Sequence, residues 1–280
     1  MKQSCFASTA ALTAFLLVCT VVAGGQQSFY ERIRGQNTAM IEVQPTWMGP
    51  LIQSDARLSQ VAKFSVAHFF SPGMQTISYG NNHGFSLLGG RRFQFDFDPP
   101  SFFRNHSAIL KDGWGNAAAQ VKYRMASGNA DHGNFALTAI LAEGFASGAT
   151  QNGMLTSYYC PKLAAGKAWG WLDFQTTLGA VLPTGKIAAQ GRTIEWNGTA
   201  QLHPNAHAWL DVENNAALFL GGPDDGKSQN FLTPAAFYSF RRREWAATHA
   251  VVVLDAGMQI ATSRYHQYNH NLISEMRILF

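Results

Sequence analysis

Segments of period two recur along most of the chain, separated by turn residues. They predict an all-β protein, an up-and-down antiparallel transmembrane β-barrel of ten strands, with twelve as the alternative. Three observations carry that prediction. In the last ten residues, Leu272, Met276, Ile278 and Phe280 fall on one face and Glu275 and Arg277 on the other, the alternation of a strand. Charged residues make up only 14% and aromatic residues 12% of the 280, with 26 glycines. Mean hydropathy is nevertheless −0.09, the average expected when an apolar exterior encloses a polar lumen. Finally, the outward set is Phe, Leu, Val and Ile in strand after strand, while the inward set holds most of the charge. A soluble sandwich would reverse that.

The same composition excludes other classes. After the first two dozen residues no apolar run approaches the roughly 20 residues of a spanning helix. The net charge of +4 is mild, and the basic residues form no stripe interleaved with stacking aromatics, so nucleic acid is not an expected partner.

Residues 1–25 read as a cleaved signal peptide, with Lys2 at the start, an apolar stretch from Ala10 to Ala23, and small residues at Ala23, Gly24 and Gly25. Val18 before Cys19 argues against a lipidation site. Cys5 and Cys19 leave with the peptide, and Cys160 alone cannot form an internal disulfide. Residues 26–56 carry Pro and Gly without sustained periodicity and are expected to form an extended periplasmic arm, or one irregular strand pair. Residues 57–280 form the barrel.

The ten segments run as follows. Gln60 to Phe70 sets Phe64 and Val66 against Lys63 and Ser65. Phe85 to Phe97 sets Phe93, Phe95 and Phe97 against Arg92, Gln94 and Asp96, and stops at Pro99 and Pro100. Ala117 to Ala126 and Asn134 to Phe145 follow. Ala168 to Leu182 places Leu172, Phe174 and Leu178 opposite Asp173, Gln175 and Thr177. Arg192 to Leu202 and Ala206 to Leu220 alternate in the same way. Asn230 to Phe240 contains Pro234, which disturbs its register. Ala247 to Ile260 and the terminal strand complete the set. Most span about ten residues, the length of a tilted membrane strand.

Closing such a meander removes its two edges. With both termini periplasmic, the connections at residues 201–205 and 241–244 become inner turns, and those at 71–84, 185–191, 221–229 and 263–269 become outer loops. Residues 147–166 would then be an unusually long inner turn, which implies either a segment folded back as a plug or a missed strand pair and a twelve-stranded barrel.

At this level the chain resembles a broad group of Gram-negative outer-membrane barrels that includes transporters and the phenol-degradation MetA-pathway proteins. The likeness rests on residues 112–124, 166–183 and 230–238 and on the terminal strand, and it spans roughly Gln60 to Phe280. It implies an outer-membrane location and a barrel architecture, and transfers no catalytic or binding residue. Met276, Ile278 and Phe280 resemble the terminal signal read by the barrel-assembly machinery, which together with outer-membrane lipid would be the chain's partner.

The candidate functional residues are the inward charges. Lys63, Arg92, Lys122, Arg124 and Arg277 would form a basic lumen wall, opposed by Asp173, Glu195, Asp211, Glu213 and Asp255 as an acidic one, with Asp96 and Glu275 as exceptions. Such walls would orient polar solutes; the competing reading is that they are ion pairs filling a narrow interior. Nine histidines without a metal-ligand spacing point to no metal, and no cofactor is expected. Ser263, His266 and Asn269 could be arranged as in an outer-membrane hydrolase, but no nucleophile signature supports catalytic residues. Trp169, Trp171, Trp196, Trp209 and Tyr123 read as an interfacial girdle rather than a sugar-stacking set. The expected function is passage of small solutes, hydrophobic or aromatic ones included. The alternatives are a closed barrel acting through its outer loops and, third, a hydrolase.

Overall fold

The computed structural model describes residues 29–80, 83–107, 109–149, 151–241 and 250–280; the expected signal peptide and residues 242–249 lie outside them. A helix, α1 (Phe29–Ile41), precedes the strands β1 (Val61–Ser71), β2 (Met74–Tyr79), β3 (Gly84–Leu88), β4 (Phe93–Asp98), β5 (Phe102–His106), β6 (Gly113–Trp114), β7 (Ala117–Gly128) and β8 (Phe135–Phe145). They continue with β9 (Tyr158–Trp169), β10 (Leu172–Pro183), β11 (Arg192–Leu202), β12 (Ala208–Leu220), β13 (Ser228–Ser239), β14 (Val251–Ala261) and β15 (His270–Leu279). Sequential antiparallel pairing closes when β15 meets β1, with Leu279 opposite Val61 and His270 opposite Phe70. Closure leaves no spanning strand with an unpaired edge.

The barrel has 12 strands rather than ten. Three positions around the wall are built from broken strands: β2 with β3, β4 with β5, and β6 with β7. β1 pairs with β3 at Val61–Lys63 and with β2 at Val66–Ser71, so β2 and β3 together make one crossing. Gly80 and Gly84 sit at the break with positive φ, and a Cβ at Gly84 would collide with the Phe97 carbonyl. Pro99 and Pro100, which have no N–H to donate, separate β4 from β5 in the next crossing.

The segment from Phe85 to Phe97, expected as one strand, is therefore a hairpin, β3 and β4 around residues 89–92. The second missing crossing is β9, most of it in the stretch 147–166 expected as an inner turn, with its end at the start of the strand expected from Ala168. With both added, residues 146–157 connect strands at the end opposite the termini. The turns at the terminal end include residues 170–171 and 203–207; the opposite end carries the longer connections 107–112, 146–157, 184–191 and 262–269.

Each strand is inverted relative to a soluble sheet. Leu178 is 55% exposed and Leu210 52%, whereas the inward Asp173, Glu213 and Thr233 are at 0%. Strands of 10 to 13 residues, such as β15 and β12, suit a tilted crossing of an apolar layer. That outward apolar surface would be costly in water and costs nothing against lipid chains.

Residues 29–56, the described part of the expected arm, are not extended along the periplasmic side as their irregular sequence implied. After α1 the chain turns into the barrel, and residues 44–60 run through its lumen. Trp47, Met48, Leu51, Ala56 and Leu58 are each at most 3% exposed.

Candidate functional site: a plugged lumen

Two inward glycines make room for the inserted segment. A Cβ at Gly166 would lie 2.8 Å from the Trp47 ring, and one at Gly257 would lie 2.6 Å from Leu51 Cδ2. Trp47 rests among the inward Ala136, Ile140, Ala164 and Ala168. Met48 and Leu51 join Trp209, Phe237, Val251 and Val253 in an apolar layer across the terminal half of the lumen.

The segment has no ladder of its own, so its backbone groups bond to wall side chains. Glu213 accepts from three consecutive N–H groups: Leu51 at 2.5 Å, Ile52 at 3.0 Å and Gln53 at 3.1 Å. Gln201 accepts from the Met48 N–H at 3.0 Å, and Gln175 donates to the Met48 carbonyl at 3.0 Å. Arg277 donates to the carbonyls of Gly49 at 2.6 Å and Pro50 at 3.0 Å. Thr138, Thr177 and Lys122 donate to the carbonyls of Ala56, Ser54 and Asp55. Further along, the Ser59 N–H donates to Gln94 at 2.6 Å.

Within the segment, Asp55 and Arg57 form an ion pair at 2.5 Å. Burial opposes ionisation of Asp55, and the Arg57 guanidinium, with Lys122, outweighs it and holds the carboxyl down at about 2.

The inward charges are thus plug-holding groups as much as wall charges. Arg277 is 3% exposed and bridges Asp255 at 2.7 Å and Glu275 at 2.6 Å, with its guanidinium 5.1 Å from the Phe237 ring. Arg124 donates to Met40 Sδ, at the end of α1, and to the Arg91 carbonyl. Glu195 lies 3.6 Å from Lys162. Asp173 accepts from Gln175 at 3.0 Å, and Asp211 lies at the edge of hydrogen-bond reach of Gln201, at 3.5 Å. Lys63 faces the lumen, but Arg92 does not: it sits in the exposed turn between β3 and β4, bonded to the Tyr123 hydroxyl. Arg92 is therefore removed from the basic wall. The remaining charges do not face each other across open space: Arg277 meets Asp255 directly, and Lys122 and Glu213 bond to residues 44–60.

Beside the segment a cavity of about 260 Å³ remains, lined by Asp55, Arg57, Lys63, Asp96, Asp98, Lys122, Tyr158, Cys160 and Lys162. Asp96 there accepts from the Gln94 and Gln120 amides. Towards the loop end, the inward Phe69 and Phe231 pack on Tyr268, with ring centroids 5.0 and 4.6 Å away.

The other candidates separate cleanly. His266 Nδ1 meets the Ser263 carbonyl rather than its hydroxyl, while Nε2 meets Asn269 at 3.0 Å. The Ser263 hydroxyl donates to the Tyr265 carbonyl, so it has no base. Among the described residues no cluster of three or more His, Cys, Asp or Glu could hold a metal. Trp169 and Trp171 are exposed near the terminal rim, whereas Trp209 is buried in the lumen and leaves the girdle. Met276 faces outward, and Phe280 bonds through its N–H to the Gln60 carbonyl.

Sequence reasoning missed the plug and with it Gln94, Gln175, Gln201, Thr138 and Thr177. A signal was present: Trp47, Met48, Leu51 and Ile52 are too apolar for a solvated arm, and glycines at inward positions of two strands mark a close approach.

The architecture is that of a closed antiparallel β-barrel with an apolar exterior. No family model matches the chain, and no curated protein matches it. Among solved structures, the NanC porin is similar with a TM-score of 0.52 at 8% identity, covering 78% of this chain and 98% of that one. An outer membrane channel from Pseudomonas putida F1 is similar with a TM-score of 0.56 at 11% identity, covering 84% of this chain and 100% of that one. At these identities the likeness is one of fold.

Proposed function

We propose that the chain is a bacterial outer-membrane channel for small solutes, normally closed by residues 44–60 and opened when they shift. In this reading the chain is exported by a cleaved signal peptide, its termini are periplasmic, and Met276, Ile278 and Phe280 are read by the assembly machinery. One observation carries the proposal: the segment is held by polar side chains rather than by strand pairing. Glu213, Gln201 and Arg277 bond its backbone, and such bonds exchange readily for water if the segment withdraws. A permanently filled core would be apolar and interdigitated throughout.

The two similar structures, a porin and an outer membrane channel, support a channel reading. A preference for hydrophobic or aromatic solutes is supported by Tyr268 at the loop end, stacked on Phe231 and edge-on to Phe69, whereas the cavity beside the segment suits polar groups. In this reading the chain is also kin to the MetA-pathway group, which residues 112–124, 166–183 and 230–238 resemble. The second reading, a barrel shut for good, is favoured by the apolar layer around Met48 and Leu51.

Planar-bilayer recording of the refolded full chain separates the two. Rare, brief steps for the natural chain and frequent, longer steps for Glu213→Ala support a gated channel. Silence from both, with folded protein inserted, favours the permanently closed barrel.

A further inference from the structure

The apolar exterior ends, towards the loop end of β15, β1, β2 and β5, in polar side chains. Strand register sets His270, Phe70, Gln75 and His106 in one outward row, and Leu272, His68, Ile77 and Arg104 in the next. The row beneath is aromatic: Tyr79 pairs with Phe102 and Phe102 with Trp114, the last two rings 5.2 Å apart at their centroids. A depression of about 370 Å³ opens on this face, with His68, Gln75 and His106 in its lining.

The polar groups around it are unspent. Arg104 and His106 are exposed, and among the described residues neither has a hydrogen-bond or ion-pair partner. His68 Nε2 is buried without one. The acid of the adjoining loop, Asp112, is engaged by the Asn105 N–H at 2.7 Å and is preceded by the cation Lys111.

We propose that this face binds the phosphate of a lipid headgroup, with Arg104 as the paired donor and His68 and His106 as further donors. Outward Tyr and Trp mark the level where a bilayer's apolar layer meets its headgroups. The next outward residue along a strand lies about 6.6 Å higher, so Arg104 stands one step above that level, at phosphate height. A guanidinium matches a phosphate with two parallel N–H donors.

The phosphate is a lipid's rather than a free ion, because the face points away from the lumen. Its chains would lie along the outward Val66, Phe64 and Met276, in the rows below. This site is independent of solute transport and does not rest on it.

The test uses the purified full chain in a non-ionic detergent, with native mass spectrometry of retained lipid. The probes are phosphatidic acid, the matching diacylglycerol and inorganic phosphate. Phosphatidic acid should be retained at least about tenfold better than diacylglycerol, the scale of one charge-assisted hydrogen bond. Arg104→Ala with His106→Ala should lose about tenfold of that retention, and Arg104→Lys should recover part of it. Lys167→Ala, an exposed cation near the terminal end, should change nothing. All of these positions are exposed, and heat-modifiable migration on gels confirms that each variant is folded. Equal retention by the natural chain and the double variant would overturn the proposal. Displacement of the lipid by an equal concentration of inorganic phosphate would overturn it too, by showing a free-anion site.

Discussion

Glu213 is the residue on which the inserted segment depends most, since one carboxyl group answers three consecutive N–H groups that have no other acceptor. Buried donors left unmatched cost about 1–3 kcal/mol each. Glu213→Ala should therefore loosen residues 51–53 by about 3 kcal/mol or more while leaving β12 paired, and hydrogen exchange of the segment should accelerate before that of the strands. Asp55 gives a second prediction at this scale. Its folded-state pKa of about 2 lies below the ordinary value of 3.8, so its pairing with Arg57 contributes fully above pH 4 and is lost as pH falls through 2. Through the loss of this pair the segment should loosen between pH 4 and pH 2. Asp55→Asn, already lacking the charge, should show a flatter response over the same range in the same exchange measurement.

At the scale of elements, the strands that were legible are those whose lumen face is polar. β10 shows Asp173, Gln175 and Thr177 against Phe174 and Leu178, and β15 shows Glu275 and Arg277 against Met276 and Ile278, so hydropathy alternates with the pleat. β9 was illegible for a physical reason. Its inward residues Ala164, Gly166 and Ala168 are small because Trp47 occupies the space in front of them, and a strand facing an apolar plug has little to alternate. β3 and β4 merged in the sequence because phenylalanines flank both sides of a short turn.

The lumen charges could be read as inward from parity alone. What they bind could not, because their partners are backbone groups of a distant segment without periodicity. The glycine facing the plug on β14 is open to a direct check. Gly257→Val places a side chain where Leu51 sits and should displace the segment while the barrel keeps its heat-modifiable migration. Arg277→Met removes the partner of both Asp255 and Glu275. Breaking a buried pair costs about 3–5 kcal/mol, and the denaturant midpoint of the barrel should fall accordingly.

For the whole molecule, a twelve-stranded wall with an apolar exterior and a lumen crossed by its own N-terminal segment makes one central claim: the segment is the gate. Fixing it in place tests that claim most directly. Ala56→Cys and Thr138→Cys put thiols where the segment's carbonyl already meets the wall's hydroxyl, and Cys160→Ser removes the natural thiol. Planar-bilayer current would be recorded from this chain oxidised, then after reduction in the same chamber. The account predicts silence while the bridge is closed and discrete current steps once it is reduced. Steps of equal size and frequency in both states would contradict it, because solutes would then be passing a segment that cannot move.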